Sequence, residues 1–552
     1  MLAEVLPATS RRRAHVHAHV GGHTRPDGYA RRRPEETALH RVVRRAWPRF
    51  RERCEEVSGG GLPRFVRREV EGYLRCGLLE HGCVRLACAG CGAELVVAFS
   101  CKARGFCPSC VARRMADAAA HLVEEVLPEV PIRQWVCTLP WAVRKAAGYK
   151  RAFCTELIEA FTGVLSGELR RRAKRAFGLR SAGEAHTGLV VFVQRSDGAL
   201  RLNVHLHVLA LDGVYVRNAG NVDGTLEFRA LPPPMPEEVH RVAERMHGRL
   251  ERLCAKHGVA GMAGTAGSGH GDGGAEEEAS ESPTALAVCM EAASRDVSLF
   301  GERAGERTEK RRVAVRAIEG RRGSPFVAEH GGVNVHAGVT VHGRDRAGLE
   351  RLCRYVTRPP IALERLRERD DGCVEYAFRK PWRDGTRAVV LTGEDLVARL
   401  CAMVPPPRFH LTRYAGVLAP NAKVRSEVVP GRASEQAAAE GDPRERAEGG
   451  VQGELFGGAG GAANDEENAR GARSSRHPWA WLLRRVFAVE VLVCVYCAGK
   501  LRLVEIATEP EATKRIARDE RRRRGEPVGH ASAIAARGPP RGPPGQLAFA
   551  FR

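Results

Sequence analysis

The stretch LNVHLHVLALDG, residues 202–213, alternates apolar and polar side chains at its start, as a β-strand does. One face of this strand collects aliphatic residues that can be buried: Leu202, Val204, Leu206 and Val208. The other face carries Asn203, His205 and His207, which places two imidazoles side by side on a rigid sheet. Such a pair is spaced to bind one metal ion. The stretch therefore predicts a two-histidine metal site on a β-sheet.

The overall charge predicts a polyanionic partner. The 552 residues include 88 Lys and Arg against 66 Asp and Glu, a net charge of +22. Most of the excess is arginine, whose guanidinium fork matches phosphate oxygens. A GC-rich genome would explain the choice of arginine over lysine, but not the surplus of positive charge. We therefore expect nucleic acid as the partner.

The expected compartment is the bacterial cytoplasm, in association with the nucleoid. No run of the sequence is long and apolar enough to span a membrane, so no membrane partner is expected. The segment from Met1 to Leu6 lacks the basic and apolar regions of a secretory signal. Seventeen cysteines, several of them in C-x-x-C pairs, favour metal sites over disulfides.

At this length the chain is expected to hold two to four domains of the α+β class. Helical spacing of apolar residues in 36–75 and a helical region around 151–178 accompany strands at 134–140 and 188–194. Composition and motifs predict these parts: a disordered basic arm (1–35), a zinc-binding and DNA-binding domain (36–125), a main body (130–425) with a flexible insertion (259–284), a disordered linker (426–473), a small C-terminal C-x-x-C segment (478–507) and a disordered basic tail (508–552).

Two C-x-x-C pairs, Cys88 with Cys91 and Cys107 with Cys110, are separated by 15 residues. Each pair can form one knuckle, and two knuckles complete a tetrahedral thiolate shell around zinc. The spacer 94–99 has the pattern of a hairpin strand in a zinc ribbon. Because four ligands leave no position for water, we predict a structural rather than a catalytic Zn²⁺.

The remaining cysteines of interest leave alternatives open. A half-site, Cys494 with Cys497, has no second pair nearby, and either His477 or a distant cysteine would have to complete it. The sequence favours equally that this half-site binds zinc and that it does not. Three cysteines near the ribbon either form a second site or, as we favour, are buried free thiols: Cys76, Cys83 and Cys101.

Residues 346–360, RAGLERLCRYVTRPP, predict a helix ended by two prolines. Tyr355 lies at the edge of the apolar stripe, so its hydroxyl can emerge beside an arginine-bearing face. A tyrosine with a pKa of about 10 is a poor nucleophile, but a metal that polarises a phosphate offsets that handicap. On this segment alone a structural tyrosine is favoured, and its pairing with the histidine strand reverses the preference. The apolar stripe consists of Leu349, Leu352, Cys353 and Val356.

Basic side chains in two places are predicted to contact DNA, chiefly through its phosphates. Arg104, Arg113 and Arg114 surround the cysteine ribbon, and Arg354 and Arg358 belong to the tyrosine helix. Charged side chains that are merely solvated are the alternative interpretation.

Several segments, in this order, resemble the transposases of the insertion-sequence ninety-one type. The resemblance covers most of 46–425 and 478–507, and its motifs are very specific. It is carried by SCKARGFCPSC (100–110), Gln194 with NVHLHVLALDG (203–213), LCRYVTRPP (352–360), KPWRDGT (380–386), RYAGVLAPN (413–421), and Arg485-Val486-Phe487 with Cys494 and Cys497.

The resemblance implies rolling-circle transposition by an HUH-type antiparallel sheet flanked by helices. In that family His205 and His207 would bind Mg²⁺ or Mn²⁺, and Tyr355 would nick one DNA strand and retain its 5′ end as a phosphotyrosine. The implied partners are single-stranded DNA at the element ends and target DNA, while the oligomeric state stays open. A third metal ligand is required, and Gln194 and Asp212 are the candidates.

One position departs from part of the family. Relatives with two tyrosines four residues apart have the first where this chain has Arg351, so Tyr355 stands alone, as in the single-tyrosine branch. Tyr414 would be a second nucleophile, although a structural or DNA-stacking role is favoured.

Three other functions compete with the transposase. A replication initiator or conjugative relaxase shares the nicking chemistry, but the ribbon and the later motifs favour a transposase. A non-catalytic zinc protein that binds DNA would retain DNA affinity without Tyr355. A zinc hydrolase that uses His205 and His207 is disfavoured, because no Glu or third His has a supporting spacing.

Overall fold

The computed structural model describes residues 32–217, 224–259, 284–313, 324–382, 384–430, 493–494 and 496–523. The predicted basic arm lies outside these residues up to position 31, and so do 260–283 of the predicted insertion and 431–473 of the predicted linker. Residues 524–552 of the predicted tail and 478–492 of the C-terminal segment lie outside as well.

The described residues form a mixed helix and antiparallel-sheet structure, so the predicted α+β class is confirmed. The strands are β1 (Cys83–Cys88), β2 (Glu94–Ala98), β3 (Ile132–Thr138), β4 (Gly188–Ser196), β5 (Leu202–Leu211), β6 (Gly213–Arg217), β7 (Leu226–Ala230), β8 (Glu309–Arg312), β9 (Val327–His330), β10 (Val333–Val341), β11 (Leu366–Glu368), β12 (Val374–Ala377), β13 (Thr386–Leu391), β14 (Thr412–Gly416) and β15 (Leu501–Ala507). The helices are α1 (Ala38–Ser58), α2 (Arg64–Arg75), α3 (Pro108–His121), α4 (Trp141–Tyr149), α5 (Arg151–Phe177), α6 (Pro236–His257), α7 (Ala285–Arg295), α8 (Arg346–Val356), α9 (Gly393–Met403), α10 (Arg425–Val428) and α11 (Pro510–Arg523).

A six-stranded sheet in the order β14-β4-β5-β3-β10-β9 forms the centre of the molecule, and every neighbouring pair is antiparallel. The histidine strand β5 is an interior strand, hydrogen-bonded to β4 on one side and to β3 on the other. An interior strand is fixed by two ladders of hydrogen bonds, which makes it a rigid base for metal ligands.

One face of β5 is covered along its length, and the other face only at its C-terminal end. The face with Val204, Leu206 and Val208 is buried in the larger apolar core, together with α4 to α7 and α9. Beyond the histidines, the other face continues with Leu209 and Leu211 into a second core that includes α8. The predicted division of the strand into an apolar and a histidine face is thus confirmed, and the second face is covered at one end only.

The larger core does not stop at the central sheet. It continues without a break into the N-terminal region, where Phe50 of α1, Tyr73 of α2 and Phe106 are buried with Trp135 and Leu206 of the sheet. Helix α1 packs against α7 and α9. The cysteine-rich region and the central sheet therefore share one apolar interior.

Residues near the C-terminus complete a small sheet of the N-terminal region. β15 pairs antiparallel with β1 in the order β15-β1-β2, so Leu501–Ala507 of the segment predicted as a separate C-terminal unit belongs to the ribbon. The prediction of a disordered tail from 508 is wrong for Pro510–Arg523, because these residues form α11. That helix buries Ile516 and Ala517 against Leu79 and Val96.

Among the described residues, no helix combines the length and apolar character needed to cross a bilayer.

Candidate active site and cysteine clusters

His205 and His207, hereafter the His pair, lie on one face of β5, with ring centroids 5.0 Å apart. The register places His205 opposite Thr138 of β3 and Gln194 of β4. The imidazole Nδ1 of His205 lies 2.8 Å from the backbone oxygen of Asn203. If Nδ1 donates that bond, the other nitrogen keeps its lone pair, which is the tautomer a metal ligand needs.

The side chain of His207 has the environment of a metal ligand held by a second residue. It is 4% exposed, and its Nδ1 lies 2.6 Å from the side-chain amide of Gln134 on β3. The atom nearest to Nδ1 is the amide nitrogen of Gln134, and a flip of the amide group brings its oxygen there instead. In that orientation Nδ1–H donates to the oxygen and Nε2 is left with a lone pair. That Nε2 is buried and has no hydrogen-bond partner among the described residues. The donor set therefore fits a divalent cation.

Both imidazoles are neutral at neutral pH. Burial, together with smaller contributions from the neighbouring His205 and Arg358, lowers the pKa of His207 to about 3. Burial also lowers the pKa of His205 from its usual value. A neutral imidazole is the form that binds a metal, so desolvation favours the binding-competent form of the His pair.

Tyr355 lies directly beside the His pair. Its ring packs edge-on against the ring of His207 with centroids 5.9 Å apart, and the guanidinium of Arg358 lies 4.3 Å from the centroid of the Tyr355 ring. Tyr355 is 39% exposed, although it is on a helix whose apolar stripe is buried. The sequence alone does not show that Tyr355 lies near the His pair. The structure brings the side chains of His205, His207 and Tyr355 together.

Two contacts hold the tyrosine helix α8 in place. The side-chain amide of Gln194 donates to the backbone oxygen of Val356, the last residue of α8, at 2.8 Å. At the other end, the Arg346 guanidinium donates to the backbone oxygens of Val123 and Leu127, which follow α3. Because α3 starts directly after Cys107, these hydrogen bonds link the helix that carries Tyr355 to the cysteine region.

The three remaining candidates, two for a third metal ligand and one for a second nucleophile, have different surroundings. Asp212 is engaged by Arg133, with an oxygen–nitrogen distance of 2.7 Å, and lies at the far end of β5, so its prediction as a third metal ligand is wrong. Gln194 lies opposite His205, and as a third ligand it stays a prediction. Tyr414 on β14 packs against the second core, and burial raises its pKa.

The cysteines form two clusters, and the predicted single shell from both C-x-x-C pairs is corrected. The buried cluster consists of Cys76, Cys101, Cys107 and Cys110, and the split cluster consists of Cys88, Cys91, Cys494 and Cys497. In each cluster the four sulfur atoms lie within 4.8 Å of one another. The two predicted pairs therefore belong to different clusters. Cys107 and Cys110 join the single cysteines Cys76 and Cys101, whereas Cys88 and Cys91 join the distant half-site.

The buried cluster is part of the larger core. Cys76, Cys107 and Cys110 are buried beside Tyr73 and Phe106, and the Sγ of Cys76 lies 3.7 Å from that of Cys110. The interpretation of Cys76 and Cys101 as free thiols is therefore not supported, whereas Cys83 is buried outside both clusters. Four converging thiols in a zinc-binding region support structural zinc.

A cleft of about 610 Å³ lies between the cysteine region and the central sheet, and the side chain of Tyr355 is part of its lining. Of the five arginines predicted to contact DNA, Arg104, Arg114 and Arg358 line this cleft, whereas Arg113 and Arg354 are not part of its lining. Arg354 is paired with Glu350 at 2.7 Å. Further along the cleft lie basic and aromatic side chains that the DNA-binding prediction did not include: Arg365, Phe378, Arg379, Lys380 and Trp382.

Gln134 was missed in the sequence analysis. It lies on the strand beside β5, two residues before Val136, which pairs with His207. The available signal was the polar pair Arg133 and Gln134 within the mainly apolar strand IRQWVCT, since each polar side chain in such a strand requires a buried partner.

Replacing Gln134 by leucine should weaken metal binding without unfolding the sheet. Leucine has a similar volume but cannot fix the tautomer of His207, and loss of such a supporting bond typically lowers metal affinity about 10- to 100-fold. Titration with Mn²⁺, followed by electron paramagnetic resonance, measures the affinity, and Gln134→Glu should retain it. Equal Mn²⁺ affinity in Gln134→Leu and wild type would exclude this supporting role.

Two family models match the chain. Residues 42–139 match the model described as "Transposase zinc-binding domain", which is specific to the insertion-sequence ninety-one type, and residues 188–426 match the model described as "Putative transposase". The first range contains the buried cluster and half of the split cluster, and the second contains the His pair, Tyr355 and Tyr414. No curated protein and no solved structure matches the chain.

Proposed function

Since the chain belongs to the transposases of the insertion-sequence ninety-one type, we propose that it nicks and transfers single-stranded DNA through a covalent bond to Tyr355, in rolling-circle transposition. Family membership implies a DNA-processing enzyme. The observation that carries the finer mechanism is the contact of Tyr355 with His207, the buried member of the His pair, whose Nε2 has no hydrogen-bond partner among the described residues.

The proposed reaction exchanges one phosphodiester for another. The hydroxyl oxygen of Tyr355 attacks the scissile phosphorus, and the bond from phosphorus to the 3′-oxygen of the DNA breaks. The phenolic proton is given up and the released 3′-oxygen gains a proton, so the products are a 5′-phosphotyrosine and a free 3′-OH. A 3′-OH of target DNA can then attack the phosphotyrosine and release Tyr355, which needs no ATP because the bond energy is retained.

The His pair would hold the catalytic cation, for which we propose Mg²⁺ or Mn²⁺, with DNA phosphate oxygens and a further protein ligand. When bound, such a cation polarises the phosphate and offsets its charge. Gln134 and Asn203 orient the two imidazoles for this task. Arg358, against the Tyr355 ring, is placed to contact a phosphate on the tyrosine side.

The cleft supports a single strand as the substrate. Basic side chains from the cysteine region (Arg104, Arg114) and from the sheet side (Arg379, Lys380) line it together with Trp382. The Trp382 ring stacks on Phe378 with centroids 4.8 Å apart. Basic grooves with aromatic rings are typical of proteins that bind single strands through phosphate contacts and base stacking.

The test incubates the full chain with labelled single strands and duplexes that carry candidate element ends. An SDS-resistant protein–DNA adduct on single strands, formed with Mg²⁺ or Mn²⁺ and absent with EDTA, is the expected result. DNA binding without an adduct on any end would favour the non-catalytic DNA-binding protein. Nicking that leaves a 5′-hydroxyl, or no covalent product, would exclude the 5′-phosphotyrosine.

A further inference from the structure

The split cluster joins two parts of the chain that are far apart in sequence. The Sγ atoms of Cys88 and Cys497, 409 residues apart, are separated by 3.4 Å, and those of Cys91 and Cys494 are also separated by 3.4 Å. A disulfide would need about 2.05 Å. Sulfurs at tetrahedral positions around zinc, each about 2.3 Å from the ion, lie about 3.8 Å apart. The spacing is therefore near that of a four-thiolate zinc shell.

The two halves of the split cluster have the same backbone conformation. In the first, Gly92 has a φ of +71° and its N–H donates to the Cys88 carbonyl at 2.9 Å. In the second, Ala498 has a φ of +56° and its N–H donates to the Cys494 carbonyl, also at 2.9 Å. Alanine adopts this left-handed conformation at a cost that glycine avoids. Two equivalent turns that aim four thiols at one point constitute two knuckles of one site.

A second hydrogen bond repeats in both knuckles. The Cys88 N–H donates to the carbonyl of Ala93 at 2.8 Å, and the Cys494 N–H donates to the carbonyl of Gly499 at 2.7 Å. A Cβ at Gly499 would lie 3.1 Å from the Cys88 Sγ and 3.2 Å from the Cys497 Sγ. The close approach of this backbone to both sulfurs indicates that the second knuckle is fitted to the first.

The other attachments of the C-terminal segment to the ribbon bury few side chains. β15 is an edge strand that pairs with β1, and only Ala507 of its side chains is buried. The shared apolar cluster is small, with Leu79, Cys83, Val96, Ala507, Ile516 and Ala517 as its buried members. Ion pairs between the two parts, such as Arg521 with Glu80 and Arg523 with Glu94, involve at least one side chain that is about half exposed, and pairs of that kind contribute about 0–1 kcal/mol each. A bound zinc, held by thiolates from both parts of the chain, would add to this backbone pairing the strongest side-chain attachment of residues 493–523.

The two clusters differ in exposure. In the buried cluster three of the four cysteines are buried within the larger core, whereas Cys91 and Cys497 of the split cluster are exposed to solvent. A chelator can reach an exposed thiolate shell directly, but reaches a buried one only after local unfolding.

We propose that the chain binds two zinc ions and that the one in the split cluster is a removable clasp, which attaches residues 493–523 to the ribbon. Removal of this ion releases β15 and α11, while the buried cluster and the central sheet stay folded. The family model for the zinc-binding region ends at residue 139 and so does not include this arrangement.

Metal analysis of the full chain tests the stoichiometry. Wild type should contain two zinc ions per chain, Cys497→Ser should contain one, and Cys497→His, which keeps a zinc ligand, should contain two. Cys373→Ser is the matched control, because Cys373 is a partly exposed thiol outside both clusters. One zinc in wild type, or two in Cys497→Ser, would overturn the proposal.

Release kinetics and hydrogen exchange test the clasp. A colorimetric chelator should remove one zinc at least about tenfold faster than the other, and the fast phase should be missing in Cys497→Ser. Backbone amides of Leu501–Ala507 should lose protection in that variant, while those of β3 and β5 keep it. Equal release rates, unchanged protection of β15, or loss of protection throughout the sheet would contradict a removable clasp. None of these readouts depends on DNA nicking.

Discussion

The variant Tyr355→Phe is expected to form no SDS-resistant adduct with single-stranded DNA, a loss of at least about 10³-fold in nicking rate, or about 4 kcal/mol of transition-state stabilisation. The substitution removes one oxygen atom and keeps the ring. The edge-on contact with His207 and the position of Arg358 over the ring are both available to phenylalanine. DNA affinity and Mn²⁺ affinity should therefore remain within about twofold of wild type, since the lost hydroxyl takes part in the reaction but not in these packing contacts.

Tyr414→Phe is the matched control for this experiment. Tyr414 also lies within the region matched by the transposase model, but it is partly buried against the second core, beside α8. We expect its phenylalanine variant to form the adduct at the wild-type level. An adduct that persists in Tyr355→Phe and disappears in Tyr414→Phe would transfer the nucleophile to Tyr414 and refute the proposed role of Tyr355.

The second large effect is expected from His207→Ala. Removal of a direct metal ligand should lower Mn²⁺ affinity by more than about 100-fold, the upper range for supporting residues. Adduct formation should fall with it, and a high concentration of Mn²⁺ should restore only part of the rate. Electron paramagnetic resonance measures bound Mn²⁺, and gel analysis of the adduct measures the reaction.

His410→Ala is a suitable control, because His410 is exposed, lines the same cleft and precedes β14, which lies two strands from β5 in the central sheet. It should keep the wild-type Mn²⁺ affinity. A thermal unfolding curve distinguishes loss of the ligand from loss of the fold, since His207 is a buried side chain. If His207→Ala binds Mn²⁺ as wild type does, the cation binds elsewhere and the His pair has another role.

Sequence reasoning succeeded where the signal is local. The alternation along β5 identified the His pair and the face it occupies, because a strand fixes the direction of each side chain. The helical spacing around Tyr355 identified the buried stripe of α8 in the same way. Neither pattern alone predicts that β5 and α8 lie against each other. The family resemblance implies this contact, and the tertiary structure has it between His207 and Tyr355.

Sequence reasoning failed where partners are far apart in the chain. Spacing shows that Cys88 and Cys91 form a knuckle, but it carries no information on which other knuckle completes the shell. Cys76 stands alone in the sequence and offered no spacing to recognise, although it joins Cys107 and Cys110. The same limit explains why α11 was not predicted. Its apolar residue Ile516 is buried because Leu79, which is distant in the sequence, packs in the same cluster.

The continuous core described for α1, α2 and the central sheet bears on how such enzymes can diversify. Phe50, Tyr73 and Phe106 fill the same interior as Trp135 and Leu206, so an exchange of the N-terminal part by recombination would cut through a shared apolar core of the described residues. A shortened gene that starts at residue 130 would encode a protein with bare apolar surface and poor solubility. Under the proposed function, DNA recognition and strand cleavage would therefore be inherited as one unit, and new target preferences would arise by point substitutions along the cleft.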